Sequence, residues 1–122
     1  MKLYVDDIRP APEGWTQART VTEAIRFLAR YGSEVTEISL DHDISYAVEV
    51  AGTQRPFPSP EDFTAVAQYV RIFYLALGKV TLPKIYIHSA NPVGADRIKD
   101  ILCNFVVVVK PELRVNRLES EL

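Results

Sequence analysis

The chain has one cysteine among its 122 residues, so no internal disulfide can form. Cys103 falls in the apolar run Ile101-Leu102-Cys103. A buried, reduced, cytosolic thiol is expected there rather than a nucleophile. Long hydrophobic runs are also missing. The longest, 72–77 and 105–109, fall far short of the ~18 residues that span a bilayer, so no transmembrane helix or membrane partner is expected. The opening Met1-Lys2-Leu3-Tyr4-Val5-Asp6-Asp7 turns acidic before a signal-peptide core could form, so a first strand and a cytoplasmic protein are expected. Histidine is scarce. His42 and His88 are the only two, with no helical His-Glu spacing, so a zinc-protease site is excluded. Lys+Arg 14 against Asp+Glu 16 leaves a net charge of −2. With no basic run, a large nucleic-acid surface is excluded, whereas action on one nucleotide end is not.

What is present is ordinary for a globular protein: 48% hydrophobic and 25% charged residues. That length and composition give a single domain over 1–122 with a core able to fold without staples. Three helices are marked by caps and periodicity. Thr20-Val21-Thr22-Glu23 has the form of a capping box, Val21, Ala24, Ile25 and Leu28 keep helical spacing, and Gly32 suits a left-handed end. Ser59 and Pro60 suit the N-cap and first position of a second helix, whose apolar face runs Phe63, Val66, Ala67, Val70, Phe73, Tyr74 and Leu77 to Gly78. The third starts near Asn91-Pro92, carries Ile98, Ile101, Leu102 and Phe105, and has Asn104 as its possible C-cap.

Short β-branched and aromatic segments at 2–5, 15–19, 35–40, 84–88 and 105–109 predict five strands. Their alternation with helices predicts a mainly parallel α/β sheet covered on both faces, with Val106 to Val109 buried on both sides. Residues 6–15, with Pro10, Pro12 and Gly14, are too few for a helical crossover and predict a loop. The 44–59 stretch, with Gly52, Pro56 and Pro58, predicts a long loop or small hairpin that could form a lid.

Ligands of open parallel sheets bind outside the strands' carboxyl ends. Those ends carry Asp6, Asp7 and Arg9, then Asp41, His42 and Asp43, then His88, Ser89 and Asn91, then Lys110. Two carboxylates ~4 Å apart repel by about 4 kcal/mol at an effective dielectric near 20. Three such pairs approach the ~5–15 kcal/mol that holds a domain folded. Arg9 and Lys110 can neutralise part of this, and the all-oxygen set Asp6, Asp7 and Asp41 suits Mg²⁺.

The order Asp6-Asp7, Asp41, Ser89-Ala90, Lys110-Pro111 at successive strand ends resembles the receiver domain of two-component response regulators. The strings Tyr4-Val5-Asp6-Asp7-Ile8-Arg9-Pro10, Ser39-Leu40-Asp41-His42-Asp43 and His88-Ser89-Ala90-Asn91-Pro92-Val93-Gly94 are similar to its divergent branch, the cyclic-phosphate-processing receiver domain family. The resemblance implies a flavodoxin-like, receiver-like three-layer sandwich with strand order 2-1-3-4-5, its first helix here replaced by a loop. It implies Mg²⁺ on the acids after the first strand, Asp41 at the phosphoacceptor position, Ser89 as the switch hydroxyl and Lys110 on the phosphate. It also implies processing or binding of a cyclic phosphate on a small nucleotide or RNA end. Two alternatives stand beside this: a signalling receiver phosphorylated on Asp41, and a non-catalytic cyclic-nucleotide-binding protein.

In the hydrolytic reading Asp41, His42, His88 and Lys110 form the catalytic set, His42 or His88 moving protons, and Arg9, Ser89, Asn91 and Lys110 hold the ligand. Each has a plainer role to set against it. His88 is a candidate core histidine, Asn91 a candidate N-cap, Asp43 a turn cap, and Arg9 a partner for Asp7. Trp15 can stack a base or pack beside the second strand.

Overall fold

A computed structural model describes residues 1–50, 52–78, 81–89 and 91–109, with backbone alone for 43–50 and 53–61. Five strands, β1 (Lys2–Val5), β2 (Thr16–Ala18), β3 (Glu37–Leu40), β6 (Lys84–Ile87) and β7 (Val107–Val109), form an all-parallel sheet in the order β2-β1-β3-β6-β7. Counted among themselves, these strands have the order 2-1-3-4-5 of the receiver fold. Two further strands, β4 (Asp43–Val50) and β5 (Thr53–Asp62), pair antiparallel as a hairpin between β3 and the second helix, in the 44–59 stretch predicted as loop or hairpin.

Period-two alternation explains the layers. Leu3, Val5, Ile38, Leu40, Ile85 and Ile87 share one face and are fully buried. They pack against Ala24 and Leu28 of α1 (Val21–Tyr31), Val66, Val70 and Tyr74 of α2 (Thr64–Leu77), and Ile98 of α3 (Pro92–Ile101). Each such side chain stabilises the fold by roughly 1.5–3 kcal/mol. The intervening residues Gln17, Tyr4, Ser39 and Tyr86 are in register on the other face. The 6–15 segment is a loop as predicted, and Trp15 at its end meets Tyr4 and Tyr86 edge-on at 6.3 and 6.1 Å. None of the helices described is long and apolar enough to cross a membrane.

The caps differ in detail from the sequence reading. Thr20 caps α1 through the Glu23 N–H, but the Glu23 carboxylate accepts from Arg19 rather than from Thr20. Gly32 is right-handed and continues into a 3₁₀ turn, so left-handed freedom is not its use. It supplies space, because a Cβ there would overlap the Phe73 ring, and its carbonyl accepts the Tyr74 hydroxyl at 2.7 Å. Ser59 and Pro60 do not start α2. They lie in β5, and the helix begins after Asp62, whose carboxylate accepts the Thr64 N–H at 2.8 Å. Gly78 ends α2 at φ 66° as expected, and Asn91 caps α3. That helix closes at Leu102 instead of Asn104.

Two burial expectations are overturned. Cys103 is exposed, because it sits in the turn after α3, off the stripe that buries Ile98 and Leu102. Among the described residues β7 pairs with β6 alone, at one end of the sheet order, and Val106 and Val109 are 67% and 37% exposed, so this valine run is not a doubly covered strand.

Candidate functional site

β1 delivers the first carboxylate. Alternation from Leu3 and Val5 turns Asp6 to the face away from the helices, where it is 1% exposed. Its Oδ1 accepts the N–H groups of Ile8 and Arg9, both at 2.8 Å, and this turn sends the chain into the 6–15 loop. Gln17 stitches the loop down, donating to the carbonyls of Asp6 and Arg9 at 2.7 and 3.1 Å and accepting from Ala11.

The other Asp6 oxygen faces β6. Oδ2 lies 3.0 Å from Nε2 of His88, which is itself 1% exposed. On its far side the imidazole places Nδ1 2.6 Å from the Ser39 hydroxyl, and its plane stacks on Tyr4 at 4.4 Å and 6°. Arg9 donates to the His88 carbonyl at 2.8 Å and stands 3.7 Å from Asp6 Oδ2. The expected partner of Arg9, Asp7, is thus replaced by Asp6, whose buried carboxylate lies beside the guanidinium. Burial pushes the Asp6 carboxyl up, but the His88 hydrogen bond and the Arg9 and Ile8 N–H donors outweigh it and hold the group below its ordinary value.

β3 delivers the third acid. Asp41 is buried, its N–H bonded to the Val5 carbonyl at 2.9 Å and its Oδ1 accepting the His42 N–H at 2.8 Å. One oxygen from each of Asp6, Asp7 and Asp41 lies within 4.8 Å of the other two. All the donors are hard carboxylate oxygens, the chemistry that a cation such as Mg²⁺ takes.

His42 turns the other way, as its position in the alternation requires. Its ring packs on the first turn of α3, where a Cβ on Gly94 would overlap it, and its Nε2 lies 3.3 Å from Asp62 Oδ2. Its carbonyl accepts the Phe63 N–H at 2.9 Å, so His42 closes the base of the hairpin. Burial raises the Asp62 carboxyl, and bonding from Thr64 with attraction to His42 and Arg97 brings it below its ordinary value.

Ser89 is fully buried and accepts the Asn91 N–H at 3.0 Å, while Asn91 Oδ1 accepts the Gly94 N–H at 3.0 Å. Both shape the start of α3. Lys110 lies outside the described residues, as does the Asp43 side chain. The sequence reading missed Ser39, Tyr4 and Asp62. A serine alternating with isoleucine and leucine in Glu37-Ile38-Ser39-Leu40 was the available signal for the first.

A family model described as cyclic-phosphate processing receiver domain matches residues 1–104. Comparisons with curated proteins and with solved structures give no match. The matched span contains both acidic strand ends and the His88-Ser89 corner. With the receiver strand order already established, the chain belongs to the cyclic-phosphate processing receiver domain family.

Proposed function

We propose that this protein binds Mg²⁺ and a phosphate group at the carboxyl ends of β1 and β3, and there processes a cyclic phosphate on a small nucleotide or RNA end. The convergence of Asp6, Asp7 and Asp41 within 4.8 Å supports the reading most directly, since three carboxylates drawn from two strand ends need a cation between them. Asp6, Asp7 and Asp41 would hold the ion. When bound, Mg²⁺ supplies Lewis-acid polarisation of a phosphodiester oxygen.

The chain's own residues do the rest. Asp6 stays ionised because His88, Ile8 and Arg9 donate to it, so it presents negative charge without needing the ion to deprotonate it. Arg9 brings positive charge beside the acids, and Lys110 would add a second cation facing the phosphate. Ser89 and Asn91 fix the N-terminal turn of α3, whose outward N–H groups favour an anion. Of the two histidines put forward for proton transfer, His88 has its imidazole at the acids, beside Asp6, whereas the His42 ring faces Asp62 and the first turn of α3.

The test is incubation of the protein with 2′,3′-cyclic nucleotides, a cyclic dinucleotide and acetyl phosphate, each with Mg²⁺ or EDTA. Mg²⁺-dependent ring opening of a cyclic phosphate, lost in Asp41→Asn, is the expected result. Recovery of intact ligand after unfolding would make the protein a binder instead, and a stable phosphoprotein at Asp41 would make it a signalling receiver. Thermal melts supply a control: Mg²⁺ at ~100 times its dissociation constant should stabilise by about 2.7 kcal/mol. Identical melts in Mg²⁺ and EDTA would remove the metal site.

A further inference from the structure

We propose that Ser39 is a positioning residue of this site: its hydroxyl donates to Nδ1 of His88 and so fixes the imidazole with Nε2–H aimed at Asp6. The chain Ser39–His88–Asp6 is buried at every member, with Nδ1 2.6 Å from Ser39 Oγ and Nε2 3.0 Å from Asp6 Oδ2. An ionised carboxylate only accepts, so Nε2 must carry a proton. In the neutral ring Nδ1 is then an acceptor, and the hydroxyl is a donor free to rotate toward it. The opposite tautomer would set a bare Nε2 against a carboxylate oxygen in a site without solvent.

Position and plane are fixed by different residues. Ser39 sits in the middle of the sheet, in register with Tyr4 on β1 and Tyr86 on β6, so its hydroxyl has little freedom to move away. Tyr4 holds the ring plane by stacking at 4.4 Å, and the Arg9 guanidinium clasps the His88 carbonyl at 2.8 Å. Tyr4 cannot select a tautomer, because a stacked face is the same for both. The Asp6 carboxylate makes that choice, and Ser39 completes it from the other side, donating one directional bond to the bare Nδ1. The result at Asp6 is a carboxylate whose plane is set by Ile8 and Arg9 N–H on Oδ1 and by Nε2–H on Oδ2. Hydrogen bonds behind ligating groups commonly matter ten-fold to a hundred-fold in metal affinity.

The effect on Mg²⁺ rests on the metal reading above, whereas the tautomer does not, so two measurements separate them. Nitrogen-15 spectra of His88 in metal-free protein should show a protonated Nε2 and a bare Nδ1. Ser39→Ala should leave Nδ1 without its donor, which moves the Nδ1 resonance to that of an unbonded ring nitrogen, and should weaken Mg²⁺ binding, read by calorimetry, by roughly ten-fold. Ser39→Thr keeps a hydroxyl on a strand that favours β-branched residues, and should restore both readouts. A wild-type ring protonated on Nδ1, or an Ser39→Ala variant with wild-type spectrum and wild-type Mg²⁺ affinity, would overturn the assignment. Should Ser39→Ala fail to fold, the wild-type Nδ1 resonance decides alone: a bare nitrogen that accepts no hydrogen bond would overturn the assignment. Wild-type protein that binds no Mg²⁺ sinks the metal reading, and the tautomer then stands or falls on the spectrum.

Discussion

Gly94→Ala sets helix propensity directly against space. Gly94 is the third residue of α3, and alanine there should stabilise the helix by about 0.5–1 kcal/mol. The new methyl, however, would overlap the buried His42 imidazole. His42 cannot retreat by shifting its backbone, because its N–H is bonded to Asp41 and its carbonyl to the Phe63 N–H. Rotation of the ring is the remaining escape, and it would pull Nε2 away from Asp62, now at 3.3 Å. Overpacking of this kind costs roughly 1–3 kcal/mol. At mid-range it outweighs propensity, and the net loss should be about 1 kcal/mol, a fall in melting temperature of roughly 3–5 °C for a domain of this size. Urea denaturation of the single variants and of the double variant with His42→Ala provides the cycle. With the imidazole gone, Gly94→Ala should become stabilising, giving a coupling of about 1–3 kcal/mol. If Gly94→Ala stabilises the otherwise wild-type protein by the full propensity gain, the His42 ring does not rest on α3.

Three further outcomes follow from buried groups. Asp6 and Asp62 are both held below their ordinary values, so they bind fewer protons folded than unfolded; their stabilisation is present above the unfolded value of about 3.9 and lost as pH falls through the folded ones. Urea midpoints followed from about pH 6 to about pH 2 should therefore decline, and Asp6→Asn should flatten that decline while placing an amide donor against the His88 donor. Tyr74→Phe removes the 2.7 Å bond to the Gly32 carbonyl and should cost about 1–2 kcal/mol in the same assay. The Tyr74 hydroxyl, pushed up to about 12 chiefly by burial, should also make the wild type lose stability as pH rises from about 10 through that value, a loss Tyr74→Phe should lack.

The sheet was legible because its signals are local. Short β-branched and aromatic segments separated by capped amphipathic stretches predict parallel strands, and all five are present, the first over the expected residues and the other four with shortened ends. The errors share a different cause. Ser59-Pro60 has the local chemistry of a helix start, yet Pro56, Pro58 and Pro60 alternate along β5, where a two-stranded ribbon leaves half its N–H positions unpaired and proline costs least. Gly32 was read through backbone freedom, whereas its need comes from Phe73, distant in sequence and visible only once α1 and α2 pack. Val106 to Val109 carries the composition of a central strand. Its exposure follows from its place at the end of the sheet order, which composition alone does not encode.

The acids of the site were legible for the reason they are useful: a carboxylate just past a hydrophobic strand has few roles other than solvation, capping or cation binding. Their partners required one more step, available by counting. From Leu3, Ile38 and Ile85, which face the helices, every second residue shares that face, so Tyr4, Asp6, Ser39, Asp41, Tyr86 and His88 all belong to the other. That parity brings Ser39, His88 and Asp6 together and puts Tyr4 under the ring. It also sends His42, one residue after Asp41, to the helix side, where it meets Asp62 and the first turn of α3. The two histidines therefore cannot be interchangeable candidates for one proton-transfer role. His88 is tied to the acid cluster through Asp6, while His42 joins the hairpin base to α3. A substitution at His88 should act first on the cluster, and one at His42 first on the hairpin and the start of that helix.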